Sequence, residues 1–429
     1  MGCARPAKEG FSPLDEELGL LPVQVTPILY ENLVRLGTWM PFEEAAEMLK
    51  VFTGAEVSEF AVRQNSLAAG EAYVNEQNEE VERLERETPA APAGPAKALL
   101  SADGAFVPLL HGEWAEVKTV VIGEVCEKVW DAKTKEWVVR SQNHTYFSRL
   151  AEAGSFDRLA LVETQRRGIE NAGKVGAVQD GAVWLQGFTD HHRPDAQRIL
   201  DFTHATEYIS KIGQATFGAN SAELAAWLQK QLHQLKHTGP DQLLVELNRL
   251  VKAHPQAQTL KLPEALAYLE KRRDQMQYPL FVEQGFPIGS GAVESANKVV
   301  VEARLKGAGM HWARPHVDPM LALRNLVCNH RWEEDWPRIE SRLRSQARQK
   351  RLQRLLQRTS TSCLSPLPQP QPVISPPAPL SLPSPTPPPP SPVTSSSSTP
   401  PPHRRPAPNH PWRRSPVGRT RFSPPPGKL

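Results

Sequence analysis

Three acidic side chains stand where a carboxylate could do chemistry. Asp103 closes the apolar run "ALLSAD" and is followed by Gly104; Asp180 closes "VGAVQD" with Gly181 after it. Glu294 falls in the first turn of an expected helix, behind the glycine-rich stretch "PIGSG" that begins at Pro287. Carboxylates at the ends of two separate strands can converge at one edge of a sheet, and a third on a nearby helix completes an oxygen-rich set suited to a hard cation such as Mg²⁺ or Mn²⁺. Paired metals in such a set activate a water or a 3′-hydroxyl for in-line attack on phosphate. The glycines allow a substrate strand to approach the backbone while Glu294 stays near the metal. Each acid also has an ordinary reading. Asp-Gly is a favoured turn, and a first-turn acid answers the helix dipole.

A different chemistry is open to Asp180, His191, His192, Asp201 and His204, a His/Asp-rich stretch that could ligate Zn²⁺ and make a metallohydrolase. Their spacing matches no familiar helical pair of zinc ligands.

The elements that must position these groups can be read from periodicity. Segment 27–90 holds three helical patterns, beginning at Pro27, at Phe42 and near Val57, with the turn Thr53-Gly54-Ala55 before the third. This is the outline of a helix-turn-helix DNA-binding unit whose second helix presents Ser58, Arg63 and Gln64, and equally that of a plain helical packing unit. From Lys97 the period changes to that of strands, with three consecutive β-rich runs, a helical stretch from Phe156 to Asn171, and a further strand at "VGAV". That order is α/β. Residues 206–285 read as helical throughout, an all-helical block set between the strands and Glu294, with the final part of the core at 286–337.

Behind the core, 338–358 is a basic amphipathic helix and 359–429 a Pro/Ser-rich tail expected to be disordered, holding 24 of the 42 prolines. The net charge of +3 hides an asymmetry. The tail carries seven basic residues and no acid, and 338–358 eight against one, leaving the first 337 residues at roughly −11. Global charge therefore gives no argument for nucleic acid. No basic-then-apolar leader and no apolar run near twenty residues is present, so the expected compartment is the cytoplasm and no membrane is involved. Cys3, Cys126, Cys328 and Cys363 lack paired spacing and read as reduced thiols.

The segments "GFSPLDEELGLLP", "SADGAFVPLL", "VGAVQDGAVWLQGF", "RILDFTHATEYI" and "GSGAVESANKVVVEARLKGAGMHWARPHVDPMLALRNLVCNHRWEEDW" together resemble bacterial insertion-sequence transposases of the ISKra group, relatives of the Mutator-like enzymes. The resemblance covers about residues 9 to 345 and is most specific from Gly289 to Trp336. It implies a ribonuclease H-like core with an Asp-Asp-Glu triad, first part 97–205, interrupted by the all-helical insertion. Asp103 then resembles the first acid, Glu294 the last and Asp180 the middle one. Asp201 resembles the Asp-x-x-His element of Mutator-like relatives, either as the middle acid itself or, with His204, as an orienting pair. The resemblance implies Mg²⁺-dependent cleavage of transposon ends, strand transfer into target DNA by a homo-oligomer, and association with the nucleoid when bound to DNA. Lys298, Arg304, Lys306, His311 and Trp312, on or beyond the Glu294 helix, become candidates for DNA contact, with solvated charges as the equal reading of the basic ones and core packing as the plainer one for Trp312. The segment 1–26 enters the resemblance abruptly and the tail is foreign to it, which raises an alternative: an inactive remnant that binds DNA without cutting.

Overall fold

The computed structural model describes residues 25–132 and 135–362. The N-terminal extension up to Gln24 and the proline-rich tail beyond Ser362 lie outside the described residues. Helices α1 (Pro27–Trp39), α2 (Phe42–Thr53) and α3 (Glu59–Glu87) come first, at the places the periodicity predicts. Thr26 and Ser58 cap α1 and α3 by accepting from the N–H groups of Leu29 and Ala61, and α2 ends on Gly54 at φ 72°, a left-handed turn that glycine adopts without steric cost. Ser58, Arg63 and Gln64 are all exposed at the start of α3, with the Ser58 hydroxyl engaged as its cap.

A five-stranded mixed sheet forms the centre, in the order β5-β2-β1-β6-β7. Strands β1 (Lys97–Pro108), β2 (Trp114–Val125) and β5 (Ser141–Arg149) make an antiparallel meander, and β6 (Lys174–Gln179) and β7 (Gln197–Leu200) continue it in parallel on the far side of β1. The third of the expected β-rich runs, "EWVVRSQNHTYF" from Glu136 to Phe147, is divided. Its first residues pair with Val129–Asp131 (β3) as the short strand β4 (Glu136–Val138), a separate hairpin. Helices α4 (Ala153–Leu159), α5 (Leu161–Arg166) and α6 (Val183–His192) cover one face, where Ala98, Leu100, Ala102, Val120, Ile122 and Phe147 meet Phe156, Leu185 and Phe188. Neither α6 nor β7 is announced by the sequence, because β7 is four residues long and holds polar Gln197 and Arg198.

The other face is covered in two parts. Helices α7 (Phe202–Phe217), α8 (Ala222–Thr238), α9 (Asp241–Ala253), α10 (Leu262–Lys271) and α11 (Tyr278–Glu283) form the expected all-helical block. They share one apolar cluster with Leu99, Val178, Ile199 and Leu200 of the sheet. The second part joins α1–α3 to the sheet through Ala105, Val107, Leu109 and Val117, and to the last helices, α14 (Arg314–Cys328) and α15 (Trp332–Ser362). The N-terminal helices therefore share their core with the C-terminal ones. The basic stretch from Arg338 continues α15, with Arg342 bonded to Glu79 and, at 3.2 Å, to Glu76 of α3. The edge strand β5 is closed off by side chains: Asn329 bonds both the N–H and the carbonyl of Tyr146, and Asp318 accepts from Leu150 N. No helix among the described residues is long and apolar enough to cross a membrane.

Candidate active site

Strand register brings the aspartates together. Lys97 pairs with Lys174, Ala98 with Val175 and Leu99 with Gly176, and continuing that register along β1 and β6 sets Asp103 level with Asp180. The β6–β7 pairing of Gln179 with Leu200 sets Asp180 level with Asp201 in turn, and Asp201 N still donates to Gln179 O at 2.8 Å. Neighbouring strands lie about 4.8 Å apart. The three acids therefore stand side by side where parallel pairing ends, the crevice in which open α/β sheets hold ligands.

Alternation along β1 fixes the face. Leu99 packs into the helical block and Ala105 and Val107 into the N-terminal cluster, so Ser101 and Asp103 form a polar break between two apolar cores on one side of the sheet. On that side α12 (Gly291–Ala296) lies across β1 and β2, with Val293 and Ala296 packed on Val121. Asp103 is nevertheless inside β1 rather than at its end, since β1 and β2 stay paired to Pro108. Its Asp-Gly pair makes no turn. At Asp180 the turn is real: Gly181 has φ 79°, and a Cβ there would stand 2.4 Å from Arg272 Nε.

Each carboxylate has local partners. Asp103 Oδ1 accepts from Gly104 N at 2.7 Å and Oδ2 from Asn297 Nδ2 at 2.9 Å. Burial pushes its pKa up to about 6, helped by the charges of Asp180 and Glu294 and opposed by the Gly104 and Asn297 donors. Asp180 Oδ1 accepts from Ala182 N at 2.8 Å, while Tyr268 and Arg272 of the helical block donate to the carbonyls of Asp180 and Gly181. Glu294 is exposed and accepts from Ser290 Oγ at 3.1 Å. Asp201 is 4% exposed with both oxygens occupied, Oδ1 by Ser290 N at 2.7 Å and Oδ2 by His204 N at 2.8 Å. It caps α7 and pins the glycine turn that leads to Glu294. The bond from His204 to Asp201 is through the backbone. The imidazole faces Glu207, with Nδ1 and Oε2 3.5 Å apart, and the stacked rings of Tyr208 and Tyr268.

Asn297 escaped sequence reasoning, although its spacing from Glu294 puts both on one helix face. It opens a π-helical stretch (Asn297–Glu302) that leads into α13 (Ala303–Leu305). Such bulges displace side chains from α-helical positions and are frequent at functional sites. Buried Arg324 of α14 donates to the carbonyls of Val299 and Val300 within the stretch and of Thr38 on α1.

The donor set of Asp103, Asp180 and Glu294 is all oxygen, which fits Mg²⁺. Among the described residues, however, no three His, Cys, Asp or Glu side chains are gathered tightly enough to hold a metal ion. Bringing the three acids onto one ion requires side-chain rotation away from the bonds just described. The His/Asp-rich stretch is split by the sheet. His192 packs half-buried against Phe188 on the α6 face, while Asp201 and His204 belong to the opposite one.

Of the residues expected to meet DNA, Lys298, Lys306 and His311 are exposed, Lys306 being paired with Glu302 at 2.7 Å. Arg304 and Trp312 are not surface side chains: they are 2% and 6% exposed, and the Trp312 indole N–H donates to Leu305 O at 3.1 Å. Both belong to packing around Phe42, which rules out base stacking on Trp312 in this arrangement. The chain matches no known protein-family model and no curated protein.

Proposed function

We propose that the chain is a DNA transposase with a ribonuclease H-like core, cutting transposon ends and joining them to target DNA. The observation that carries this reading is the level placement of Asp103 and Asp180 on adjacent parallel strands, under the helix that bears Glu294. The antiparallel meander extended by parallel strands, interrupted by a helical block before the last acid, is the arrangement such a core requires. Asp103, Asp180 and Glu294 would hold Mg²⁺ or Mn²⁺, which supplies activation of the attacking oxygen and stabilisation of the leaving one.

The chain's own residues do the positioning. Asp201 fixes the turn Gly289–Gly291 through Ser290 N, and Ser290 in turn orients Glu294. A Cβ on Gly291 would meet nothing within 4 Å, so the glycine leaves open space beside the acids for a substrate strand. Asn297 donates to the Asp103 carboxylate and so favours its ionised form against the effect of burial. DNA and a homo-oligomer that brings two ends together are the partners of this reading. The test is cleavage of labelled transposon-end duplex by purified protein with Mg²⁺, abolished in Asp103→Ala and Glu294→Ala; cleavage that survives both changes removes the assignment.

A second reading, DNA binding without cleavage, draws on the absence of a closed metal cage among the described residues. A gel shift with transposon-end duplex and no strand scission at any Mg²⁺ or Mn²⁺ concentration would favour it.

A further inference from the structure

Away from the carboxylates, a cavity of about 410 Å³ opens between the N-terminal helices and the segment following α13, lined among others by Arg63, Arg304, His311 and His316. Three helices of at least twelve residues begin at its wall. Pro41 and Phe42 start α2, Glu59 starts α3 and Ala313 starts α14, and neither Pro41 nor Ala313 caps its helix with a side chain. Their dipoles give the wall a positive potential, although in α14 Pro315 has no N–H and His316 N already donates to Ala313 O at 2.8 Å. Two acids, Glu43 and Glu59, also line it, both exposed in first turns where they answer the dipoles.

Arg304 is the second, independent observation. Its guanidinium is buried between Phe42, 4.5 Å away, and Trp312, 5.2 Å away, and donates from Nε to Gly37 O at 3.0 Å. Nη1 finds only Met310 Sδ at 4.0 Å and Nη2 finds no partner. Among the described residues no carboxylate comes within 4 Å of it, although the charge of Glu44 reaches it from farther away. An arginine buried without a counter-ion is costly unless an anion completes it. Burial pulls its pKa down to about 10, so it remains a cation at neutral pH.

We propose that this cavity is a phosphate-binding site in which Arg304 at the floor, Arg63 and His311 at the rim and the start of α14 hold one phosphoryl group. Planar guanidinium groups and helix N-termini are the two devices that match phosphate oxygens best. The phosphoryl group comes either from a nucleic-acid backbone or from free phosphate. The site shares no residue with the carboxylate set, and it stands whether or not the carboxylates bind metal.

Equilibrium dialysis of the full chain against labelled inorganic phosphate, in EDTA at constant ionic strength, tests the proposal. Saturable binding of one phosphate is expected, weakened at least about tenfold in the Arg63→Ala/His311→Ala double variant, whose changed side chains are exposed. Arg304→Lys, checked for folding by circular dichroism, should weaken binding similarly by losing the planar donor fork. Displacement by unlabelled duplex DNA assigns the site to a nucleic-acid backbone, and binding indifferent to duplex assigns it to free phosphate. No saturable binding, or binding unchanged in the double variant, overturns the proposal; because metal is excluded, that outcome is independent of whether the acids cleave DNA.

Discussion

Asn297 Nδ2 donates to Asp103 Oδ2 at 2.9 Å, joining the start of the π-helical stretch to the middle of β1. Hydrogen bonds to an ionised group contribute about 1.5–3 kcal/mol, and partners that orient metal ligands change affinity or activity by about 10–100-fold. Asn297→Ala should therefore shift the Mg²⁺ dependence of DNA cleavage to higher concentration by roughly that factor. A titration of cleavage rate against Mg²⁺ that superimposes on the unmodified protein would contradict it.

Asp201 and Asp180 separate by their hydrogen bonds. Asp201→Ala removes the cap of α7 and leaves the half-buried N–H groups of Ser290 and His204 without this acceptor, and should cost about 0.5–2 kcal/mol in urea unfolding. Asp201→Asn keeps one acceptor oxygen and should retain part of the stability and measurable cleavage. Asp180→Asn should do the reverse, with stability little changed and cleavage lost. If Asp201→Asn abolishes cleavage while Asp180→Asn spares it, the middle acid has been misplaced.

Two glycines flank the acids for different reasons. Gly181→Ala forces a Cβ into a left-handed turn and against Arg272, and should destabilise by more than about 1 kcal/mol. Gly291→Ala meets open space and should stay within about 0.5 kcal/mol of the unmodified protein, while weakening cleavage if that space admits substrate. Thermal unfolding read beside cleavage distinguishes them.

His192 supplies a pH dependence remote from the acids. Burial, with the charge of His191 added, pulls its pKa from 6.5 down to about 3, so the folded chain holds it neutral while the unfolded chain protonates it. Its contribution to stability is complete above about pH 6.5 and is lost as pH falls towards about 3. His192→Gln should flatten the dependence of unfolding free energy on pH over that window, as measured by urea titrations at a series of pH values. An unchanged slope would show that another group governs it.

The two aspartates that face each other across β1 and β6 were legible as acids behind apolar runs, and Glu294 as a first-turn acid behind a glycine turn. What could not be read was register. Nothing local states that Lys97 lies opposite Lys174, yet that pairing alone decides whether Asp103 meets Asp180. β7 was missed because four residues cannot display a period, and with it went the reason for Asp201, whose carboxylate serves two backbone N–H groups. Arg304 could stand as a candidate for phosphate contact, and Trp312 for base stacking beside the plainer reading of core packing, because their partners, Phe42 and Gly37, come from helices far earlier in the chain. Asn297 carried no signal of its own, because an amide three residues after Glu294 gains a role only once the fold sets Asp103 beside it.

The block from α7 to α11 interrupts the sequence of the core but not its structure. Its Tyr268 and Arg272 hold the peptide groups of Asp180 and Gly181, and Phe281 and Phe286 share an apolar cluster with strands β1, β6 and β7. Trimming the protein to its sheet and flanking helices would strip away the wall that shapes one of the acidic turns. Any miniaturised version must keep those helices or rebuild their grip, so here the inserted segment behaves as a structural tenant on which the landlord has come to depend.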